Sequence, residues 1–194
     1  MKFASAVFAT LSMIVNGAFS MPNVEARSLE ARLVADPQAC GDPRLLTPLF
    51  RLSNGVKKDN FYTTSATEKA NAIATGGYRD EGVEGYIWPT STNGGQLQTI
   101  PFYRVYNPTV VNHFYTTSTA ERDDAINNLG YNSEGIAGYV YNNAQCGGLP
   151  LYGVWSTNAQ NDFYTMDADG VQEVVSGDPD GYVNEGIRAY IFRF

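Results

Sequence analysis

Histidine, cysteine and positive charge are all scarce in this chain. A single His and two Cys in 194 residues exclude a zinc ribbon or finger, a His-rich metal centre and a Cys/His nucleophilic pair within one motif. Thirteen Lys and Arg stand against twenty Asp and Glu, a formal net charge of −7, and the basic residues form no cluster. Nothing in that distribution follows a phosphate backbone or an anionic membrane surface, so neither nucleic acid nor a membrane is expected as a partner. No apolar run reaches the ~18 residues of a membrane-spanning helix. Also missing are the Gly-x-Ser-x-Gly, His-Glu-x-x-His, phosphate-loop and dinucleotide fingerprints, so no catalytic residue, cofactor or metal is assigned. Asp167-Ala-Asp169-Gly170 and Asp178-Pro-Asp180-Gly181 look like fragments of calcium loops. They lack the remaining ligand spacing and read as a helix cap and a turn.

The N-terminus reads as an address. Lys2 precedes the apolar run Phe3 to Val15, and Ala18 and Ser20 supply small residues for cleavage, the three-part pattern of a secretory signal over residues 1–20. Residues 21–39 show neither a strand nor a long helix pattern and read as a leader or propeptide. The expected localisation is secreted, extracellular or associated with a cell wall. An oxidising compartment favours pairing of an even number of cysteines, so a Cys40–Cys146 disulfide is predicted, with two buried free thiols as the alternative.

What the chain does have is a repeat. Pro48-Leu-Phe-Arg-Leu-Ser, Pro101-Phe-Tyr-Arg-Val-Tyr and Pro150-Leu-Tyr-Gly-Val-Trp are followed at the same interval by Phe61-Tyr-Thr-Thr-Ser, Phe114-Tyr-Thr-Thr-Ser and Phe163-Tyr-Thr-Met-Asp. Gly-Tyr at 77, 130 and 181, Glu-Gly at 81, 134 and 185, and a closing Tyr at 86, 139 and 190 complete each copy. The copies span 48–100, 101–149 and 150–194 within one domain, 40–194. Alternating aromatic and β-branched residues around a turn predict a hairpin. Ser65-x-x-Glu68 and Ser118-x-x-Glu121 are capping boxes that predict a short helix before Gly77 or Gly130, and the Glu-Gly segment returns to strand. One such unit cannot cover its own aromatic face. The predicted fold is therefore α+β and β-rich, three ββαβ repeats closed around a pseudo-threefold axis, with a β-trefoil-like arrangement as the alternative.

The second copy, with Tyr-Arg-Val-Tyr-Asn, His-Phe-Tyr-Thr-Thr-Ser and Glu-Gly-Ile-Ala-Gly-Tyr, resembles an uncharacterised extracellular three-repeat family. That family occurs in secreted fungal proteins and beside the cell-wall hydrolases of Gram-positive bacteria. The resemblance covers residues 48–194. It implies an accessory domain of the cell surface, with attachment to wall or glycan and no established catalytic residues. The third copy departs from the pattern at Gly153, where the others have Arg51 and Arg104, and at Met166-Asp167.

A sugar offers an apolar C–H face and a rim of hydroxyls, so its sites combine exposed aromatics with amides and charges. The recurring rings Phe61, Phe114, Phe163, Tyr86, Tyr139 and Tyr190 are assigned to the core. The rings that vary between copies, with their polar neighbours, are the ligand-binding candidates: Trp88, Tyr106, Asn107, His113, Trp155 and Asn158. His113, which stands where the other copies carry Asn60 and Asp162, also reads as a polar turn residue. Glu81, Glu134 and Glu185 could perform acid/base work on a glycosidic bond. Their threefold recurrence favours a structural role, capping backbone or pairing with an Arg; in copy three Arg188, or an Arg from a neighbouring copy, is expected to pair with Glu185. Three functions follow in order: a non-catalytic binding protein for an extracellular glycan, an effector or inhibitor that binds a protein partner through the insertion Trp88 to Ile100, and a glycan hydrolase that uses the repeated Glu. Oligomeric state is left open.

Overall fold

In each copy the alternation of apolar and polar residues builds a three-stranded antiparallel sheet with the first strand in the middle. The structure, a computed structural model, describes residues 40–95, 98–177 and 179–194; the predicted signal and leader lie outside the described residues. Copy one contains β1 (Thr47–Asn54), β2 (Asp59–Thr63) and β3 (Arg79–Ile87) in the order β2-β1-β3. Copy two repeats this with β4 (Ile100–Asn107), β5 (Asn112–Thr116) and β6 (Asn132–Val140), and copy three with β7 (Leu149–Ser156), β8 (Asn161–Thr165) and β9 (Tyr182–Ile191). Between the second and third strands lie α1 (Ala66–Asn71), extended by a π turn over Ala72–Gly76, then α2 (Thr119–Asn128) and α3 (Ala168–Gly177). The units are ββαβ, as predicted, and not the all-strand units of the trefoil alternative.

The capping boxes start the helices. The Ser65 and Ser118 hydroxyls each accept the N–H of the Glu three residues on, at 3.2 Å, and Asp167 does the corresponding work for α3 by accepting Asp169 N–H at 3.1 Å. This satisfies donors that the first turn otherwise leaves without a partner. In each third strand the Glu-Gly glycine takes positive φ, +96° at Gly82, +87° at Gly135 and +84° at Gly186, beside a shift of register against the central strand. A side chain there would be strained.

The copies are joined at three levels. Tyr62, Tyr115 and Tyr164 point at the shared axis and are fully buried. Each hydroxyl bridges to the backbone of another copy, accepting its N–H and donating to its carbonyl. Tyr62 OH does so at Tyr164 (3.0 and 2.6 Å), Tyr115 OH at Tyr62 (2.8 and 2.7 Å), and Tyr164 OH at Tyr115 (2.9 and 3.0 Å). Burial drives all three hydroxyls well above the ordinary tyrosine range, so they stay protonated and able to donate. Beyond one end of this ring, backbone pairs join Tyr86 with Phe192, Trp88 with Tyr139, and Tyr141 with Tyr190. At the other end the first side chain of each second strand reaches the second residue of the next: Asp59 to His113, Asn112 to Asp162, Asn161 to Asn60. Leu49, Phe102, Leu151, Ile87, Val140 and Ile191 fill the space around the axis.

Phe61 is buried as predicted, and the arrangement corrects the rest of the predicted core. In a strand, adjacent residues face opposite ways, and it is the Tyr of each Phe-Tyr pair that faces the axis. Phe114 and Phe163 are half-buried, as are Tyr86, Tyr139 and Tyr190, whose backbone carries the junctions. The Cys40–Cys146 disulfide is formed, with Cα atoms 5.5 Å apart, and ties the segment before copy one to the connection between copies two and three.

Candidate functional site

Because the copies pack cyclically, a cleft lies between the helix of each copy and the sheet of the next. Each is assembled from the same positions: the Phe of Phe-Tyr and the Tyr of Gly-Tyr from one copy, and from the next the side chains aligned with Tyr106, His113, Glu134 and Arg104.

At the first cleft these groups hold one another. The Tyr106 ring lies on His113 with centroids 4.5 Å apart, and His113 Nδ1 is 2.7 Å from Asp59 Oδ2. Asp59 also accepts the Tyr78 hydroxyl. Arg104 grips Glu68 of copy one with both terminal nitrogens at 3.0 Å. Its Nε is 2.9 Å from Glu134, an ion contact, and its guanidinium sits over Phe61. The Arg104 pair holds the Glu68 carboxyl down at about 2, well below its ordinary 4.5.

The second cleft is open. Its cavity, about 260 Å³, is lined by Phe114, Tyr131, Trp155, Asp162, Glu185 and Arg188, with Glu121 and Asp124 from α2 at the edge. Trp155 takes the place of Tyr106, and Asp162 that of His113. Arg104 has no counterpart on the central strand, since Gly153 stands there; a Cβ at Gly153 would come 2.7 Å from Arg188 Cγ. Arg188 enters from β9 through that gap, lies over the Phe114 ring at 6.0 Å, and pairs with Glu121 at 2.5 Å. Asp162 is almost wholly buried. Burial pushes its carboxyl up to about 7, helped by the charge of Glu185 and opposed by the Asn112 hydrogen bond and by Arg188. Tyr131 accepts the second Asn112 amide contact at 2.9 Å, so one amide fixes both the phenol and the carboxyl that face the cavity. Aromatic walls with carboxylates and one guanidinium suit a ligand that has an apolar face and a hydroxyl rim. Among the described residues no group of three or more His, Cys, Asp or Glu is placed to hold a metal ion.

Residues 48–192 match the model of DUF5648, a domain of unknown function. The chain belongs to this family. No curated protein and no solved structure matches it, so the cyclic packing of a DUF5648 unit rests here on the three copies themselves.

Within that unit the predicted site residues separate. Tyr106, His113 and Glu134 meet in the first cleft, and Trp155 and Glu185 in the second. Trp88 is corrected: it is 1% exposed and packs on Phe192 at the junction end, with centroids 5.7 Å apart, so it presents no ring to a ligand. Asn107 is also corrected. It is buried, donates to Leu129 O at 2.8 Å and accepts Thr109 N–H at 2.9 Å, which binds the hairpin turn to the end of α2. Asn54 does the same in copy one, donating to Gly76 O at 3.0 Å. Asn158 is exposed on the β7–β8 turn and does not line the second cleft.

The repeated glutamates have three different surroundings. Glu81 accepts Ser53 Oγ–H and lies 3.8 Å from Arg79; Glu134 meets Arg104 and His113. Glu185 is exposed and forms no ion pair among the described residues. The expected Arg188–Glu185 pair is therefore replaced by Arg188–Glu121, because the positions align Arg188 with the previous copy's capping glutamate. Sequence reasoning missed Phe114, Tyr131, Asp162 and Glu121 as cleft residues. The usable signal was a position that holds Ser53, Tyr106 and Trp155 in otherwise equal copies.

Proposed function

We propose that this protein is a secreted, non-catalytic binding module for a cell-wall or other extracellular glycan, and that a sugar ring occupies the second cleft against Trp155. The observation that carries the reading is the shape of the cavity there: two aromatic walls and an indole beside Glu185, Asp162 and Arg188. Its volume of about 260 Å³ falls just below the ~300–1,000 Å³ of ligand pockets, which suits one ring of a longer chain. The Cys40–Cys146 bond supports an oxidising, extracellular setting, in keeping with the resemblance to secreted fungal proteins and domains beside Gram-positive wall hydrolases.

The test is retention on chitin, β-glucan and peptidoglycan, with Trp155→Ala beside the natural chain. Retention on one polymer that falls at least tenfold in the variant supports the reading. Equal retention of the two, or none on any polymer, overturns it. Release of soluble sugar by the natural chain, abolished in Glu185→Gln, would replace binding with the hydrolytic reading.

A further inference from the structure

The third cleft, between copy three and copy one, breaks the charge pattern of the other two. In the first and second clefts an Arg of one copy pairs with the capping-box Glu of the copy before it, Arg104 with Glu68 and Arg188 with Glu121. The same Glu accepts the hydroxyl of Thr63 or Thr116 at the end of the second strand. One carboxylate thus holds a threonine and a guanidinium.

Copy three has Gly170 at the capping-box position, and the two tasks come apart. Glu84 of copy one reaches across, accepts Met166 N–H at 2.6 Å and bonds Thr165. That takes over the threonine. Arg51, the counterpart of Arg104, keeps the shared pose over the neighbouring ring, its guanidinium carbon 4.4 Å from the Phe163 centroid. Its Nε is buried with no hydrogen-bond partner, as Arg104 Nε is, but unlike Arg104 it forms no ion pair within 4.0 Å among the described residues, and Glu84 acts on it only through longer-range charge attraction. It lines a cavity of about 190 Å³ together with Asn60, Phe163, Val174 and Tyr182, none of them acidic. A planar guanidinium over an aromatic floor matches a carboxylate in two-point geometry; the first cleft shows that geometry filled by Glu68, and in the second Glu121 meets Arg188 through a single contact.

We propose that the third cleft is a carboxylate subsite: a ligand carboxylate, as on a uronic acid, pairs with Arg51 in the place that Glu68 and Glu121 occupy in the other clefts. The site is separate from the Trp155 cleft and does not depend on the glycan reading there.

The full domain is titrated with galacturonate, acetate, galactose and inorganic phosphate while the Arg Nε–H signals are followed by NMR. Galacturonate and acetate should shift Arg51 and galactose should not. Tighter binding of galacturonate than acetate assigns the ligand to a sugar acid, and equal binding to a bare carboxylate, either of which supports the subsite. Arg51→Met should weaken binding at least tenfold. Gly170→Glu rebuilds the missing carboxylate from within; the nearest atoms to an added Cβ there belong to the Asp167 side chain, at 3.2 to 3.5 Å. It should raise the melting temperature and abolish galacturonate binding, while Trp155→Ala should leave that binding unchanged. Galactose or phosphate binding more tightly than galacturonate, no carboxylate binding, or binding that survives in folded Gly170→Glu would overturn the proposal.

Discussion

The first and second clefts occupy equivalent places in the repeat, and only one of them is open. In the first, Tyr106, His113, Asp59, Arg104 and two glutamates are tied together by stacking, a hydrogen bond and ion pairs. In the second, three exchanges undo that closure: Trp155 for Tyr106, Asp162 for His113, and Gly153 with Arg188 for Arg104. Arg188 pairs with Glu121 and leaves Glu185 exposed to solvent. The scaffold beneath, the tyrosine ring and the backbone junctions, is the same in both. A cyclic repeat can therefore keep its core in every copy while a few side chains at one boundary turn a structural contact into a cavity.

The largest expected loss of stability comes from breaking what the clefts share. Tyr164→Phe removes one hydroxyl and strands the Tyr115 N–H and carbonyl, both buried. Each such loss costs about 1–3 kcal/mol, so urea unfolding should show a fall of about 2–4 kcal/mol, with similar values for Tyr62→Phe and Tyr115→Phe. A change in only one of the three would contradict the ring.

Asp162 sharpens the contrast through pH. Its carboxyl stands near 7 in the folded chain against an ordinary 3.8, so between those values the native state binds more protons than the unfolded one. Its contribution is fully present below pH 4 and is lost as pH rises through 7. Asp162→Asn should then be more stable than the natural chain at pH 8, on the order of 4 kcal/mol, and match it near pH 4. Melting temperatures at the two pH values decide this; an equal difference at both would remove the buried charge from the account.

Closure of the first cleft gives a smaller effect. Arg104→Met leaves Glu68 and Glu134 without their shared cation, and because both carboxylates are partly exposed the cost should be only about 1–2 kcal/mol at pH 7. Glu68 is held down at about 2, so this contribution is present above about pH 4.5 and fades as pH falls toward 2. Arg188→Met, which loses one carboxylate partner, should cost less. Chemical unfolding at pH 7 and pH 3 compares the two; a larger loss for Arg188→Met would reverse the ranking of the clefts.

The repeat, the hairpins and the capping boxes were legible because their determinants lie within a few residues of each other. The disulfide followed from counting. The facing of each Phe-Tyr pair was not legible, since both residues are aromatic and alternation states that they oppose without stating which one meets the axis. Trp88 was misread for a different reason. It aligns with Tyr141 and Phe192, which pack together with it at the junction end, so the position does recur as an aromatic while its identity changes. The pairing of a capping glutamate with the next copy's Arg joins residues 36 or 67 apart, and no local pattern announces it. What the sequence did mark was unevenness: Trp155, Asp162, Gly153 and Arg188 are the points where copy three leaves the pattern, and all four bear on the second cleft.

The account stands most directly on where a glycan touches the molecule. An oligosaccharide of whichever polymer retains the protein is titrated into the labelled domain, and shifts are followed at the Trp155 indole N–H, the Trp88 indole N–H and the Arg Nε–H groups. Binding at the second cleft predicts saturable shifts at Trp155 and Arg188, with Trp88 and Arg104 unmoved. Shifts centred on Arg104 in the first cleft, or on Trp88 and the 89–95 turn, would contradict it.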